Sequence, residues 1–463
     1  MRLAWFSPWP PDRSGIAGRS AELVPLLAAR GHGIDVFVDE RRVPVARADD
    51  EAPPPGQVRV QSAHDFVWRA GRAQYNLIVY QLGNSRLHGF IWPYLFRWPG
   101  LAVLHDARLH HARGRALLRS RRAADYRAEF AWSHPDVPAD AAELAISGFD
   151  GVYYYQWPMT RAVVESSRLT AAHSRGAVAA LSADWPDRAI EYVALGEGRA
   201  TIDSPREDSE RRSAGERGHR ERARVDDSTV LFGVFGSLTA EKRVLQVMRA
   251  FAATRARTPD VHLLLAGGQD GSVDVARLSH DLGIEAVTTV VDTPDADEFD
   301  EWIAAVDVSL NLRWPTALET SGPWLRALAA ARPTVIVDLA HLSHVPALDP
   351  RTWQLQGPVT GRRQAGPPIA VAIDILDEDH SLRLAMARLA ADADLRRSLG
   401  TAARAYWERE HTVERMVEDY ERVMQRAVTL TAPATPRPVH LRPDPLAHTR
   451  ELARSIDPRF NLF

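Results

Sequence analysis

The sequence predicts an α/β protein made of two Rossmann-like halves. Short apolar runs alternate with amphipathic helical stretches, and this alternation occurs twice along the chain. The runs are continuous rather than alternating with polar residues, as expected of strands buried on both faces of a parallel sheet. A length of 463 residues is also too great for one ordinary core.

In the first half, strands are expected at Leu3–Phe6, Ile34–Val38, Leu77–Tyr80, Leu101–Leu104 and Leu169–Ala172. In the second they are expected at Val230–Phe235, Val261–Ala266, Val287–Val291, Val308–Leu312 and Thr334–Val337. The stretch Ser204–Arg224 is crowded with Arg, Glu, Asp, Ser and Gly. It holds too little apolar surface to offset its ordering entropy and reads as a mobile linker. After the second half, Val413, Met416, Val417, Tyr420, Val423 and Met424 recur at helical spacing and form one apolar stripe. Thr429–Pro445 is proline-rich and reads as extended, and Leu446–Phe463 either docks or stays loose. The expected organisation is a first domain at 1–200, a charged linker at 201–227, a second domain at 228–405, a long helix at 406–428 and a tail at 429–463.

Hydrophobic content of 45%, charge of 25% and a net charge of −3 suit a soluble globular enzyme and give no global attraction to nucleic acid. Without cysteine there is no disulfide, thiolate nucleophile or thiolate metal site. No stretch approaches the roughly 18 apolar residues of a membrane span, so a cytoplasmic location is expected.

Ligands in open α/β sheets lie at the carboxyl ends of the strands, so the residues just after each strand carry the functional reading. After the first strand, Gly15, Ile16, Ala17 and Gly18 lead into a helix whose N-terminus favours an anion. After Leu101–Leu104 come His105, Asp106, Arg108, His110 and His111. His105 reads as a hydrogen-bonding or charge-stabilising group. A structural histidine and a metal ligand shared with Asp106 and His110 are the alternatives, and no metal site is expected. The basic run Arg108–Arg127 follows the aromatic stretch Phe90–Trp98. It reads as a solvated helix face beside a core cluster, with peripheral contact at the inner membrane face as the other reading.

In the second half, Lys242 is the sole lysine among 57 basic residues. It follows the apolar run Val230–Phe235 and the turn Gly236-Ser237, with Arg243 next to it, where a compact point charge can meet a phosphate. Further on, Arg313 precedes Glu319, and a helix is expected to begin near Ser321, with Thr320 or Ser321 as N-cap and Pro323 in its first turn. The backbone N–H groups of Thr320, Ser321 and Gly322 then form an anion cradle. Glu319 accepts hydrogen bonds from sugar hydroxyls beside that anion, or simply suits the helix dipole.

Together with Ala172-His173-Ser174, Leu264–Gly268 and Ala305-Val306-Asp307, these residues make the chain resemble the retaining, nucleotide-sugar-dependent glycosyltransferases of family 4 over roughly residues 1–428. The resemblance implies a GT-B fold, in which two Rossmann-like domains face each other across a cleft and a C-terminal helix crosses back. It also implies that the second domain binds the nucleotide diphosphate and the first the acceptor. Lys242 would then contact the pyrophosphate and Glu319 the sugar hydroxyls, while Thr320–Gly322 would meet sugar or phosphate. His105 would face the reacting sugar, and Gly15–Ala17 would approach the donor phosphate or the acceptor.

No cofactor is implied, and metal is not required. The expected partners are a nucleotide-diphosphate sugar and a glycan, lipid-linked or small-molecule acceptor. Two positions depart from the family pattern. Ser237 replaces an arginine, leaving Arg243 or Arg313 to substitute, and Ala327 replaces a second glutamate that holds the ribose. A catalytically silent scaffold that binds sugar or a partner protein is the alternative function.

Overall fold

The computed structural model of the chain describes residues 1–12, 14–45, 53–149, 151–197, 214–356 and 366–443, together with 446, 449 and 453. It forms two compact units: Met1–Ala194 with Ala317–Thr320 and Met416–Phe463, and Leu195–Thr316 with Ser321–Arg415.

Among the described residues, each unit holds one seven-stranded sheet in which every pair is parallel. The first contains β1 (Arg2–Phe6), β2 (Gly33–Val38), β3 (Val58–Ser62), β4 (Leu77–Leu82), β5 (Leu101–Leu104), β6 (Leu169–Ala172) and β7 (Ile190–Tyr192). Their order is β3-β2-β1-β4-β5-β6-β7. The second contains β8 (Val230–Phe235), β9 (Val261–Ala266), β10 (Thr288–Val291), β11 (Val308–Leu310), β12 (Thr334–Val337), β13 (Ala347–Leu348) and β14 (Ala370–Ile373). Their order is β10-β9-β8-β11-β12-β14-β13. The strand order reverses between β1 and β4 in one sheet and between β8 and β11 in the other. At such switch points the segments leaving neighbouring strands diverge and open a crevice.

The apolar runs explain both sheets. β2, β8 and β9 are buried at every residue, as strands of a parallel sheet covered on both faces are. In the first unit, Phe6 packs on Phe37, Phe66, Tyr80 and Tyr94 at centroid distances of 5.1, 4.9, 5.2 and 4.8 Å. In the second, Phe232, Val234, Leu263 and Leu265 share a core with Val247, Met248 and Phe251 of the helix Val244–Arg255.

The predicted C-terminal stripe forms the helix Val413–Thr429, which buries Met416, Val417, Tyr420, Val423 and Met424. It starts later than the expected 406, because residues 406–410 complete a separate helix, Ala393–Glu410. From Met416 onward the chain belongs to the first unit. Beyond this helix the proline-rich segment carries no helix or strand as far as Pro438, makes a short 3-10 turn at Val439–Leu441 where an extended run was expected, and is anchored. Thr435 donates to Glu165 at 2.7 Å, His440 pairs with Glu129 at 2.8 Å, and Leu441 is fully buried. Burial alone would raise the Glu129 carboxyl, but the bidentate Arg113 guanidinium and His440 outweigh it and hold it at about 2. Apart from residues 446, 449 and 453, the chain after 443 lies outside the described residues.

The expected linker needs correction. Residues 201–213 lie outside the described residues, but Ala214–Arg222 is a helix. Arg220 is buried and donates to Asp307 at 3.0 Å, Ala305 O at 3.1 Å, and Asp226 O and Thr229 O at 2.6 Å each. Charges that composition counts as solvated are here donors taken up by backbone carbonyls and a carboxylate.

Candidate functional site

In the first unit, His105 directly follows β5, and its backbone N–H continues the ladder to Leu82 O at 2.9 Å. Its Nε2 lies 2.8 Å from Gln81 Oε1, on the neighbouring strand β4. The same oxygen accepts from Tyr420 Oη at 3.2 Å. His173, after β6, packs its ring 4.7 Å from that of His105 and directs Nδ1 to Val193 O at 3.0 Å. Dense packing disfavours the imidazolium, and His173, His88 and Arg19 add to the effect, so the His105 pKa lies well below the ordinary histidine value. Burial likewise brings His173 to about 4. These surroundings favour His105 as a neutral hydrogen-bonding group.

The segment carrying Glu319 and Thr320 belongs to this first unit. Ala317 O accepts from Ala107 N at 2.8 Å and Arg108 N at 3.2 Å, and Thr320 Oγ1 donates to His173 O at 2.8 Å. Leu318 adopts a left-handed φ of 62° and packs onto the first unit's core. A non-glycine residue held at positive φ marks a segment whose surroundings dictate its shape. Glu319 Oε2 accepts from Ala317 N at 2.7 Å. Burial lowers the Arg108 pKa and the Glu319 charge opposes that shift, so a carboxylate lies near the guanidinium of the loop that follows His105.

Gly15, Ile16 and Ala17 open the helix Gly15–Ala29, with Ser14 as N-cap accepting from Ala17 N at 3.1 Å. Ile16 and Asp106 both approach Gly83, just after β4, at 3.0 and 3.1 Å from where its Cβ would lie. The helix start and the loop after β5 thus meet at the first unit's switch point.

In the second unit the switch point gathers Gly236, Lys242 and the loop after β11. Gly236 sits at φ 82°, and a Cβ there would come within 2.6 Å of Lys242 Nζ and 3.5 Å of Pro323. Glycine leaves room for the ammonium, which donates to Phe235 O. Trp314 N donates to Glu241 O at 2.7 Å, which holds the Arg313 segment against the Lys242 turn. Ser237 is exposed beside them. Ser321 caps the helix Gly322–Ala329 through a 3.4 Å bond from Trp324 N, with Pro323 in the first turn, as expected.

Two expectations are corrected here. Arg243 is committed to Glu378, with Nε 2.7 Å from Oε1, and this pairing raises its pKa. It is therefore not the substitute for the arginine missing at Ser237. The cradle at Thr320–Gly322 is also divided: Thr320 belongs to the first unit, whereas Ser321 and Gly322 belong to the second. Beside Gly322 the chain supplies its own carboxylate, since Glu197 Oε2 lies 3.2 Å from where a Gly322 Cβ would be. Glu197 is held by Arg326 at 2.7 Å. Ala327 is fully buried with Phe235, Leu264 and Trp302, so a glutamate there would bring a charge into an apolar cluster.

His110 is structural. Its ring nitrogens meet Trp157 O at 2.5 Å and Tyr126 Oη at 2.6 Å, it stacks on Tyr154, and burial brings its pKa to about 3. Neither nitrogen is available to a metal shared with His105 and Asp106. Ile91, Trp92, Tyr94, Leu95 and Phe96 are buried in the first unit's core, so the aromatic half of the membrane reading is lost. No helix among the described residues is long and apolar enough to cross a membrane. Gln81 and Glu197, and the hydrogen-bonding role of Tyr420 beyond its place in the apolar stripe, escaped the sequence reading because their partners lie far away in sequence or on a neighbouring strand.

The chain is similar to sucrose-phosphate synthase from Thermosynechococcus elongatus, with a TM-score of 0.60 and 15% identity over 92% of this chain and 98% of that one. It is similar to WaaG, a glycosyltransferase involved in lipopolysaccharide biosynthesis, with a TM-score of 0.55 and 15% identity over 91% and 99% of the two chains. The fold is GT-B. HepE from Anabaena, in complex with UDP and glucose, matches with a TM-score of 0.57 and 13% identity over 92% of this chain and all of that one (100%). At such identities the likeness shows the fold alone. No family model and no curated protein matches the sequence.

Proposed function

We propose that the protein is a retaining glycosyltransferase of family 4, moving a hexosyl group from a nucleoside-diphosphate sugar to a glycan, lipid-linked or small-molecule acceptor. The observation that carries this reading is Lys242, the sole lysine, whose ammonium fits against a strand-end glycine at the second unit's switch point.

Breaking the bond between the anomeric carbon and the diphosphate oxygen leaves negative charge on the phosphate. Lys242, with Arg313 on the adjoining segment, stabilises that charge by preorganised electrostatics and takes the part a metal would otherwise play. The acceptor oxygen bonds to the anomeric carbon on the same face, and its proton passes to the departing phosphate. In the first unit, Glu319 accepts from sugar hydroxyls and His105 orients a hydroxyl without becoming charged. Gly15 and Ile16, with Ser321 and Gly322, offer backbone N–H groups to the donor, while Ala17 N is taken by the Ser14 cap.

Lys242→Ala is expected to lower transfer by about 100-fold or more, since one electrostatic contact to a developing charge is worth roughly 10²–10³. Unchanged turnover in a folded variant overturns the reading. Screening UDP-, GDP- and ADP-sugars by thermal shift identifies the donor, because a ligand of the native state raises the melting temperature. A second reading, a silent scaffold that binds sugar or a partner protein, draws support from Arg243 being paired with Glu378 and from Ala327 being buried. Donor binding without transfer or hydrolysis would select it.

A further inference from the structure

We propose that Gln81 and Tyr420 are positioning residues that lock His105 in its neutral Nε2–H tautomer and present Nδ1 as a hydrogen-bond acceptor. Gln81 Oε1 has two lone pairs and two neighbours, His105 Nε2 at 2.8 Å and Tyr420 Oη at 3.2 Å. A phenol O–H directed at that oxygen donates to it, and a second donor completes its valence, so the histidine proton lies on Nε2. With the amide reversed, the Tyr420 proton and the carbonyl oxygen would both be left buried without a partner. In the arrangement found, the two N–H donors of the Gln81 amide nitrogen are left unpartnered instead, so the nitrogen-15 measurement below decides the orientation.

The three side chains are held from different elements. Gln81 is one residue from the end of β4 and 1% exposed, His105 follows β5, and Tyr420 lies on the helix Val413–Thr429, packed on Trp5 at 5.6 Å and His173 at 6.3 Å. His173 spends its Nδ1 on Val193 O and, like His88, stays neutral, so no imidazolium forms beside His105 to contest the tautomer. The consequence is chemical. With its one proton spent on Gln81, His105 can accept from a substrate hydroxyl but cannot donate to a phosphate.

This inference takes His105 as part of the proposed site, yet its first test needs no substrate. Nitrogen-15 NMR of histidine-labelled protein, with the His105 signal assigned from His105→Asn, is expected to show the proton on Nε2 at neutral pH. A proton on Nδ1, or an imidazolium, overturns the lock. If the Nε2–H form is found and no donor supports transfer, the lock stands and the glycosyltransferase reading falls.

The second test is kinetic. Gln81→Leu is expected to lower kcat by about 10- to 100-fold, as loss of an orienting partner does. Tyr420→Phe is expected to lower it several-fold, with the donor KM unchanged in both. Gln81→Glu, which offers a carboxylate to the ring, should bring a new ionisation into the kcat–pH profile near the ordinary histidine pKa of about 6.5, absent from the parent. A flat Gln81→Glu profile in a folded, active variant, or equal changes in KM and kcat, counts against the proposal.

Discussion

Lys242 and Arg243 are adjacent cations with opposite fates. One ammonium sits over a glycine and a backbone carbonyl at the second unit's switch point, while the neighbouring guanidinium is neutralised by Glu378, whose side chain is only 11% exposed. Lys242→Ala should therefore lower transfer by about 100-fold or more while leaving the melting temperature nearly unchanged. Arg243→Ala should do the reverse, costing about 1–3 kcal/mol by leaving a largely buried carboxylate unpaired, with donor binding retained. Thermal melts and donor titrations on the two variants check this directly. Gly236→Ala is expected to lower both, since a φ of 82° strains any residue with a side chain and a methyl group 2.6 Å from Nζ would push the Lys242 ammonium from its place. Lys242 and Gly236 were legible in sequence because a buried strand followed by a glycine turn fixes where the next few residues lie. Arg243 was not, because its partner is 135 positions away.

At the scale of the element, most strands were legible from apolar runs, and β3, β7, β13 and β14 were missed. β3 reads Val58-Arg-Val-Gln-Ser62 and so carries little hydrophobic signal, while β7 and β13 span only three and two residues. β14, Ala370-Val-Ala-Ile373, is diluted by alanine, which suits helices as well. The helix Ala214–Arg222 was hidden for a different reason: its stability comes from partners supplied by other elements rather than from its own apolar face. Arg220→Ala removes the bonds to Ala305, Asp307, Asp226 and Thr229 and takes a buried guanidinium away from the Asp307 carboxylate. A loss of about 3–5 kcal/mol is expected, measured by denaturant unfolding, as for other buried ion pairs broken on one side. A loss below about 1 kcal/mol would return this segment to the solvated linker its composition suggested.

For the whole molecule, the GT-B fold was legible because the alternation of strand and helix occurs twice. The assignment of Ala317–Thr320 to the first unit was not, since it rests on hydrogen bonds to Ala107, Arg108 and His173 far away in sequence. Acid sensitivity also belongs to this scale. His88 and His173 are held near 4 and His110 near 3 by burial, against an unfolded value of about 6.5. Their folded values are depressed, so the stability they contribute is complete above about pH 6.5 and is lost as pH falls toward 4 and then 3. Glu129, held at about 2, extends the loss below the ordinary glutamate range. The melting temperature should fall progressively below about pH 6.5, and His88→Gln should make that fall shallower. A melting temperature constant from about pH 7 to about pH 4 would contradict the depressed values.

The return of residues 416–443 to the first unit has a consequence for biosynthesis. Met416, Val417, Tyr420, Val423, Met424 and Leu441 are parts of that unit's interior, yet they are synthesised after the whole of the second unit. The unit that begins first is therefore completed last, while the second emerges together apart from one short interruption. At synthesis rates of about 5–20 residues per second, the N-terminal sheet waits roughly ten seconds or more with the seat of its final helix uncovered. A chain stopped at Arg415 would leave the first unit without those buried side chains, and so lose part of its interior rather than merely an end.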